Sequence, residues 1–366
     1  MIEPTAPEQN PPTPLIVDLF AGPGGWDEGL ALLGRSDVVG LEWDAAACKT
    51  AKTAGHARIR CDVATYPTEP FVGIEGLIAS PPCQAWSMAG KRKGELDRAN
   101  CHTLADRMAG GDDSIDWTVW EDDKSPLVCQ PVRWVRDLCP DWIALEEVPA
   151  VASLWEHFAR IFRGWGYSVW TGDLCAADYG VPQTRTRRIL MASRTMTVQP
   201  PVATHTQWPA DGVDLFGDQL EGWVSMATAL GWNDDDHLVH PRGKGMIERH
   251  GPRDDRVGCQ PAMTVTSKSR SWERFVSKPA PTLVTTRRSK DGMLVGRQLA
   301  DAGKVAGVRV TVIEAGLLQS FPEAYPWQGS NSKRHEQVGN AIPPRLAMHV
   351  LAALGVTVVV AQAAVA

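Results

Sequence analysis

A cysteine follows two prolines in ASPPCQAWSMAG (79–90). The apolar run EGLIASP (75–81) reads as a strand, so Cys83 stands just past a strand's C-terminal end, where open α/β sheets place active sites. Prolines stiffen such a loop and hold the thiol in one place. That makes Cys83 a candidate nucleophile, with a buried structural cysteine as the alternative. ALEEVPA (144–150) ends another apolar strand in two carboxylates, Glu146 and Glu147. YGVPQTRTRRIL (179–190) carries Gln183, Arg185 and Arg187 at alternating positions, which on a strand project to one face. Solvated acids and a surface arginine cluster are the plainer readings of these two.

A glycine cluster, DLFAGPGG (18–25), lies between a strand and a helix. Glycines there let a ligand approach the backbone, and the helix N-terminus offers free N–H groups. Glu42 ends the next strand, where a carboxylate commonly takes the ribose hydroxyls of a nucleotide-like cofactor. Asp62 follows the third β segment, within reach of an adenine amino group. A purely structural tight turn shares this layout, as do dinucleotide-binding enzymes. In EQVGNAIPPRLAMHVLAAL (336–354) a Gly-Asn turn is expected before two prolines and a helix.

The elements that position these residues alternate. LIVDLF (15–20), DVVGLEW (37–43), EGLIASP (75–81), DWIALEEV (141–148), GYSVWTGDLC (166–175) and RRILMAS (187–193) read as strands. Helices are expected at DEGLALLG (27–34), at DAAACKTAKTAG (44–55) with an Asp N-cap and a Gly stop, and at PLVCQPVRWVRDLC (126–139). Such alternation predicts an α/β fold, a mostly parallel Rossmann-like sheet covered by helices on both faces. Residues 98–125, acidic and rich in Gly and Asp, read as an insertion or flexible surface loop. The Pro-rich residues 1–14 read as a loose tail without a signal peptide. Residues 350–366 are uncharged, yet too short and interrupted for a membrane span.

The chain has 366 residues, 43% hydrophobic and 22% charged, the composition of a globular protein with a sizeable core. Its eight cysteines include no CxxC pair and fit reduced thiols better than a disulfide scaffold or zinc ribbon, and no metal is expected. A net charge of −6 excludes a uniformly basic coat protein. Residues 241–310, however, hold 15 Lys+Arg against 6 Asp+Glu. That asymmetry points to one basic face on an otherwise acidic chain.

In order and spacing, DLFAGPGG, GLEWD, PPCQAWS, EEVP, QTRTRR, LLQSFP and GNAIPP resemble the cytosine-C5 DNA methyltransferase family. The motifs occupy residues 15–194 and 311–352. The resemblance implies a DNA (cytosine-5)-methyltransferase that uses S-adenosylmethionine. Residues 15–194 would form the cofactor-binding catalytic domain and 195–320 a smaller, irregular β-rich target-recognition domain. Residues 321–366 would return to the catalytic domain.

By the same resemblance Cys83 attacks C6 of a flipped-out cytosine, Glu146 acts at N3, and Arg185 and Arg187 hold the base oxygen and the nucleophile loop. Phe20, Ala21, Gly22, Gly24, Gly25, Glu42, Trp43, Asp62, Val63, Pro82 and Asn340 would bind the cofactor. Gln84, Ser87, Gln183, Arg287 and Arg288 would contact DNA. Double-stranded DNA is the implied partner. A monomer in the cytoplasm of a bacterial or phage-infected cell is expected, in a restriction-modification setting that admits a cognate restriction endonuclease.

An RNA cytosine-C5 methyltransferase and a non-catalytic cofactor- or DNA-binding regulator are the rival readings. The chain departs from the family at Glu147, where Glu-Asn-Val is usual. Neighbouring strand residues face opposite ways, so one carboxylate alone is expected to face the base. Glu147 is expected to raise the pKa of Glu146 and keep it protonated.

Overall fold

Ile-Val-Asp-Leu, the residues ahead of the glycine cluster, are buried throughout as strand β1 (Ile16–Leu19), as a central parallel strand requires. The computed structural model describes residues 15–86, 93–209, 217, 219–231, 280–281, 293–294 and 309–357. After β1 come α1 (Gly25–Leu32), β2 (Val38–Glu42), α2 (Ala45–Thr53), β3 (Ala57–Arg60) and β4 (Gly76–Ala79). The chain continues through α3 (Gly94–Ala109), α4 (Gln130–Leu138), β5 (Trp142–Glu147), α5 (Ala152–Gly164), β6 (Ser168–Cys175), β7 (Gln183–Thr184) and β8 (Thr186–Ser193). A short α6 (Met226–Leu230) precedes α7 (Val312–Leu318), α8 (Asn331–Asn340) and α9 (Pro344–Ala353).

The seven-stranded sheet has the order β3-β2-β1-β4-β5-β8-β6. Strands β3, β2, β1, β4 and β5 run parallel, and β8 lies antiparallel between β5 and β6. The chain winds outward from β1 in one direction through β2 and β3, and in the other through β4 and β5. The crevice between the C-terminal ends of β1 and β4 is therefore the switch point of a doubly wound sheet, where ligands bind. On one face Val17, Leu19, Leu77 and Leu145 pack on Trp134, Trp155 and Phe158 of α4 and α5. On the other, Ile16, Ile78 and Ala144 share a core with Leu30 of α1 and Leu346 and Val350 of α9. Helix α9 thus packs on the sheet beside α1.

Local signals explain the element ends. Asp44 caps α2 by accepting the Ala46 and Ala47 N–H groups at 2.8 and 2.9 Å. Thr311 and Glu314 form a reciprocal capping box on α7.

The loop expected at 98–125 is corrected in its first half. Residues 94–109 form α3, and Cys101, Leu104, Ala105 and Met108 are buried in the core. Their spacing is that of a helix face, hidden in the sequence by a polar, Gly- and Asp-rich context. The buried Asp97 carboxylate then accepts the N–H groups of Glu121 and Asp122 at 2.8 and 3.1 Å, fastening the following segment to α3.

The Gly-Asn turn is corrected too: Gly339 and Asn340 are the last residues of α8. An apolar cluster of Val312, Ala315, Phe321, Tyr325, Trp327 and Val338 spans the domain boundary expected at 320. The tail 1–14, the end 358–366 and most of 195–308, with Arg287 and Arg288, lie outside the described residues, as does Ser87. Among the described residues no helix is long and apolar enough to cross a membrane.

Behind the glycine loop, Arg58 donates to both oxygens of Asp27, at 2.8 and 2.5 Å, with both side chains fully buried. Burial opposes the Asp27 charge, but the guanidinium overrides it and lowers the pKa. The same guanidinium reaches the Gly22 carbonyl at 3.4 Å. Removing one partner leaves the other charge buried and alone, so Arg58→Ala is expected to cost about 3–5 kcal/mol in a denaturant titration. A loss under about 1 kcal/mol, the size of an exposed pair, would sink this account.

Candidate functional site

Gly22 stands at φ 56°, and a Cβ there would meet nothing closer than 4.0 Å, so the loop presents bare backbone to open space. Its N–H donates to Glu42 Oε2 at 2.8 Å, and the Asp44 N–H donates to Oε1 at 2.6 Å. Burial raises the Glu42 pKa against these two donors. Gly25 starts α1 against Ile342, whose carbonyl would lie 2.4 Å from an added Cβ. Any side chain at Gly25 would therefore push α1 off the segment following α8.

A cavity of about 540 Å³ opens at the switch point. One end is walled by Phe20, Ala21, Gly22, Gly25, Glu42, Trp43, Asp62 and Val63, with Asn340 closing it from α8. Trp43 is 69% exposed there, and among the described residues no ring stacks on its indole. Pro82 and Cys83 line the other end with Glu146, Arg185 and Arg187. Every expected catalytic residue thus reaches this cavity. Of the expected cofactor residues only Gly24 does not line it. Gly24 has φ 118° and packs under Tyr325 and His56, so its glycine is needed for the turn.

Cys83 opens a short 3₁₀ turn, Cys83–Ala85, directly after Pro82. The Trp86 N–H returns to its carbonyl at 3.0 Å, and the Trp26 indole N–H holds Ser80 at 2.9 Å. Burial pushes the Cys83 thiol up to about 12, Glu147 and Glu146 add to the rise, and Arg187 and Arg185 oppose it. Arg187 Nε is ion-paired with Glu146 Oε1 at 2.7 Å. Arg185 Nη1 donates to the Gly339 carbonyl at 2.9 Å, fixing α8 to the arginine strand. Burial and the neighbouring Arg187 lower Arg185 to about 9.

Two expectations need correction. Gln183 is fully buried, donates to the Leu318 carbonyl at 3.4 Å and does not line the cavity, so here it offers DNA no surface. Glu146 and Glu147 both line the cavity rather than facing opposite ways. They stand at the last two positions of β5, where strand alternation gives way to the turn at Pro149. Burial first and the Glu146 charge second raise the Glu147 pKa, and Glu146 is ion-paired with Arg187.

The sequence reading missed Trp117, Asp123, Lys124 and Leu127, which also line the cavity. Trp117 is 51% exposed, and Lys124 Nζ donates to Gln84 Oε1 at 3.2 Å. For Leu127 the signal was available, because it starts the run leading into α4. Trp117 sits in a segment with no periodicity and gave none.

Comparison with known proteins agrees with this geometry. The family model of the C-5 cytosine-specific DNA methylase matches residues 15–106 and 118–355, leaving out 107–117. A Type II methyltransferase, M1.HphI of Haemophilus parahaemolyticus, is 26% identical over 360 residues, covering 92% of this chain and 86% of its own. M.FnuDI of Fusobacterium nucleatum is 25% identical, covering 91% of each chain. A putative DNA modification methyltransferase from an Escherichia coli prophage superposes with a TM-score of 0.55 at 20% identity, over 93% of this chain and 98% of its own. The Dnmt2 methyltransferase of S. pombe gives 0.56 at 14%, over 93% and 99%. These structures share the fold. With the family match running through both ends of the cavity, the chain belongs to the C-5 cytosine-specific DNA methylase family.

Proposed function

We propose that this family member methylates C5 of a cytosine flipped out of a specific duplex DNA site, with S-adenosylmethionine as donor and Cys83 as nucleophile. The observation that carries the reading is a single cavity joining the Gly22 loop, Glu42 and Trp43 to Cys83, Glu146, Arg185 and Arg187.

The donor set fits the cofactor. Glu42, at the end of β2, can take ribose hydroxyls, and the exposed Trp43 face suits a purine. Asp62, also in the lining, could accept from the purine amino group, and the open backbone at Gly22 leaves room for the amino-acid portion. The bound cofactor supplies an electrophilic methyl group.

The protein's part is to make C5 of cytosine a nucleophile. Addition of the Cys83 thiolate to C6 breaks the C5–C6 double bond and moves its electron pair toward C5. Glu146 receives or delivers the proton at N3, while Arg185 and Arg187 hold the base oxygen as negative charge develops. After methyl transfer a base removes the C5 proton, and Cys83 leaves by β-elimination.

Sequencing methylated cytosines in DNA from cells expressing the chain tests the reading. One recurrent methylated site is expected, and unmethylated DNA alongside methylated RNA would turn the assignment to RNA. The basic stretch 241–310 and Gln84 are our candidates for DNA contact, and a restriction-modification role in the cytoplasm, with or without a partner nuclease, is the setting we favour. Trp43→Ala should weaken S-adenosylmethionine binding by about 1–3 kcal/mol, roughly ten- to hundredfold in Kd by calorimetry. An unchanged Kd would take the purine away from Trp43.

A further inference from the structure

Two carboxyl groups line the cavity beside Cys83, and among the described residues Glu146 alone of the two is ion-paired. Arg187 Nε is bound to Glu146 Oε1 at 2.7 Å. Glu147 is 1% exposed; its Oε2 accepts the Val148 N–H, and its Oε1 is buried with no hydrogen-bond partner among the described residues. Arg185 is turned to the Gly339 carbonyl, and its Nε has no hydrogen-bond partner among the described residues. Arg188, the next guanidinium on β8, faces away to Glu156 and Asp173. A carboxylate removed from water without a counter-ion takes up a proton instead. Burial, with Glu146 beside it, pushes Glu147 the same way against Arg187 and Arg185.

We propose, resting on the methyltransferase reading above, that Glu147 is a protonated, neutral positioning acid. In that state it leaves the Arg185 charge free for the Cys83 thiolate, and its ionisation at alkaline pH restrains methyl transfer. The charges facing Cys83 are Glu147, Arg187, Glu146 and Arg185. With Glu147 neutral, Glu146 and Arg187 balance, and Arg185 remains as an uncompensated cation. Ionised Glu147 takes up that cation and becomes, after burial itself, the largest influence against the thiolate. The neutral amide usual in the family at this position would never do so. The second carboxyl therefore gives this chain a pH response of its own.

The test uses the full chain with two readouts. The first is the rate of Cys83 alkylation by iodoacetamide against pH, without DNA or cofactor, with Cys83→Ser identifying the signal of this thiol among the other cysteines. The second is the pH profile of single-turnover methylation. In Glu147→Gln the alkylation midpoint should move toward acid by about one pH unit or more. Its methylation rate should keep following the thiolate at alkaline pH, where the wild-type rate bends away. Glu147→Asn should behave as Glu147→Gln and carries the test if the longer amide fails to fold, while Glu147→Asp should retain the bend. Superimposable alkylation curves for wild type and the amide variants would overturn the proposal. So would an alkaline bend that survives in them. Wild-type protein that methylates no DNA would overturn the functional reading instead, because the alkylation curves are measured without it.

Discussion

Replacing Cys83 with serine should abolish methyl transfer, with a loss on the order of 10⁴-fold or more, and leave S-adenosylmethionine binding near the wild-type value. The reasoning is chemical. A hydroxyl in the same pocket ionises far less readily than a thiol, and the surroundings already push the thiol up to about 12. Glu146 is ion-paired with Arg187 at 2.7 Å, which disfavours it as a base for a serine hydroxyl. Cys83 lines the end of the cavity away from Trp43 and Glu42, so cofactor affinity should hold.

A duplex carrying 5-fluorocytosine gives the positive form of the experiment. Fluorine at C5 blocks the final proton removal, so wild-type protein should be trapped as a covalent adduct visible on a denaturing gel. Serine at position 83 with substantial activity, or an adduct that survives the substitution, would take the nucleophile elsewhere.

Glu146→Gln is expected to lower the methylation rate by about 10²–10⁴-fold, the usual worth of a positioned acid or base. The substitution keeps the shape of the side chain and removes both its proton exchange and its ion pair with Arg187. Arg187 then loses its anchor at the same time as N3 loses its partner, which places the effect near the upper end of that range. Glu147→Asn, which restores the amide usual in the family, should cost much less at neutral pH. Measuring both variants side by side decides the register. If Glu147 proves the indispensable carboxyl and Glu146 the dispensable one, the catalytic assignment moves by one residue along β5. The present geometry speaks for Glu146, because it alone of the two is held by an arginine.

Much of this was legible in the chain itself. Alternating apolar strands and capped helices follow from local periodicity and end signals, and they mark β1, β2, β4, β5, β6 and β8, six of the seven strands of the sheet. The glycine loop, the acid after β2 and the thiol behind two prolines are local too, because the fold places its ligands wherever strands end at the switch point. The motifs could therefore put Cys83, Glu146, Arg185 and Arg187 forward as candidates without a distance, and the structure brings the four to one cavity.

Other features depended on partners far away along the chain. Gln183 looks like its neighbouring arginines, yet it is buried against Leu318, 135 residues later. The helix at 94–109 was hidden because its apolar face is sparse, and only the core formed with α4 and α5 shows which side is inside. Trp117 reaches the cavity because buried Asp97 ties down the segment that follows it.

The state of the two glutamates was likewise beyond the sequence. Adjacent carboxyls look equivalent on paper, but proton affinity is set by burial and by which cation arrives. Arg187, carried in on an antiparallel strand, pairs with Glu146 and leaves Glu147 alone. Chain order determined which chemical groups this protein owns, and tertiary structure decided which of them is charged, because desolvation and ion pairing act through space and not along the backbone.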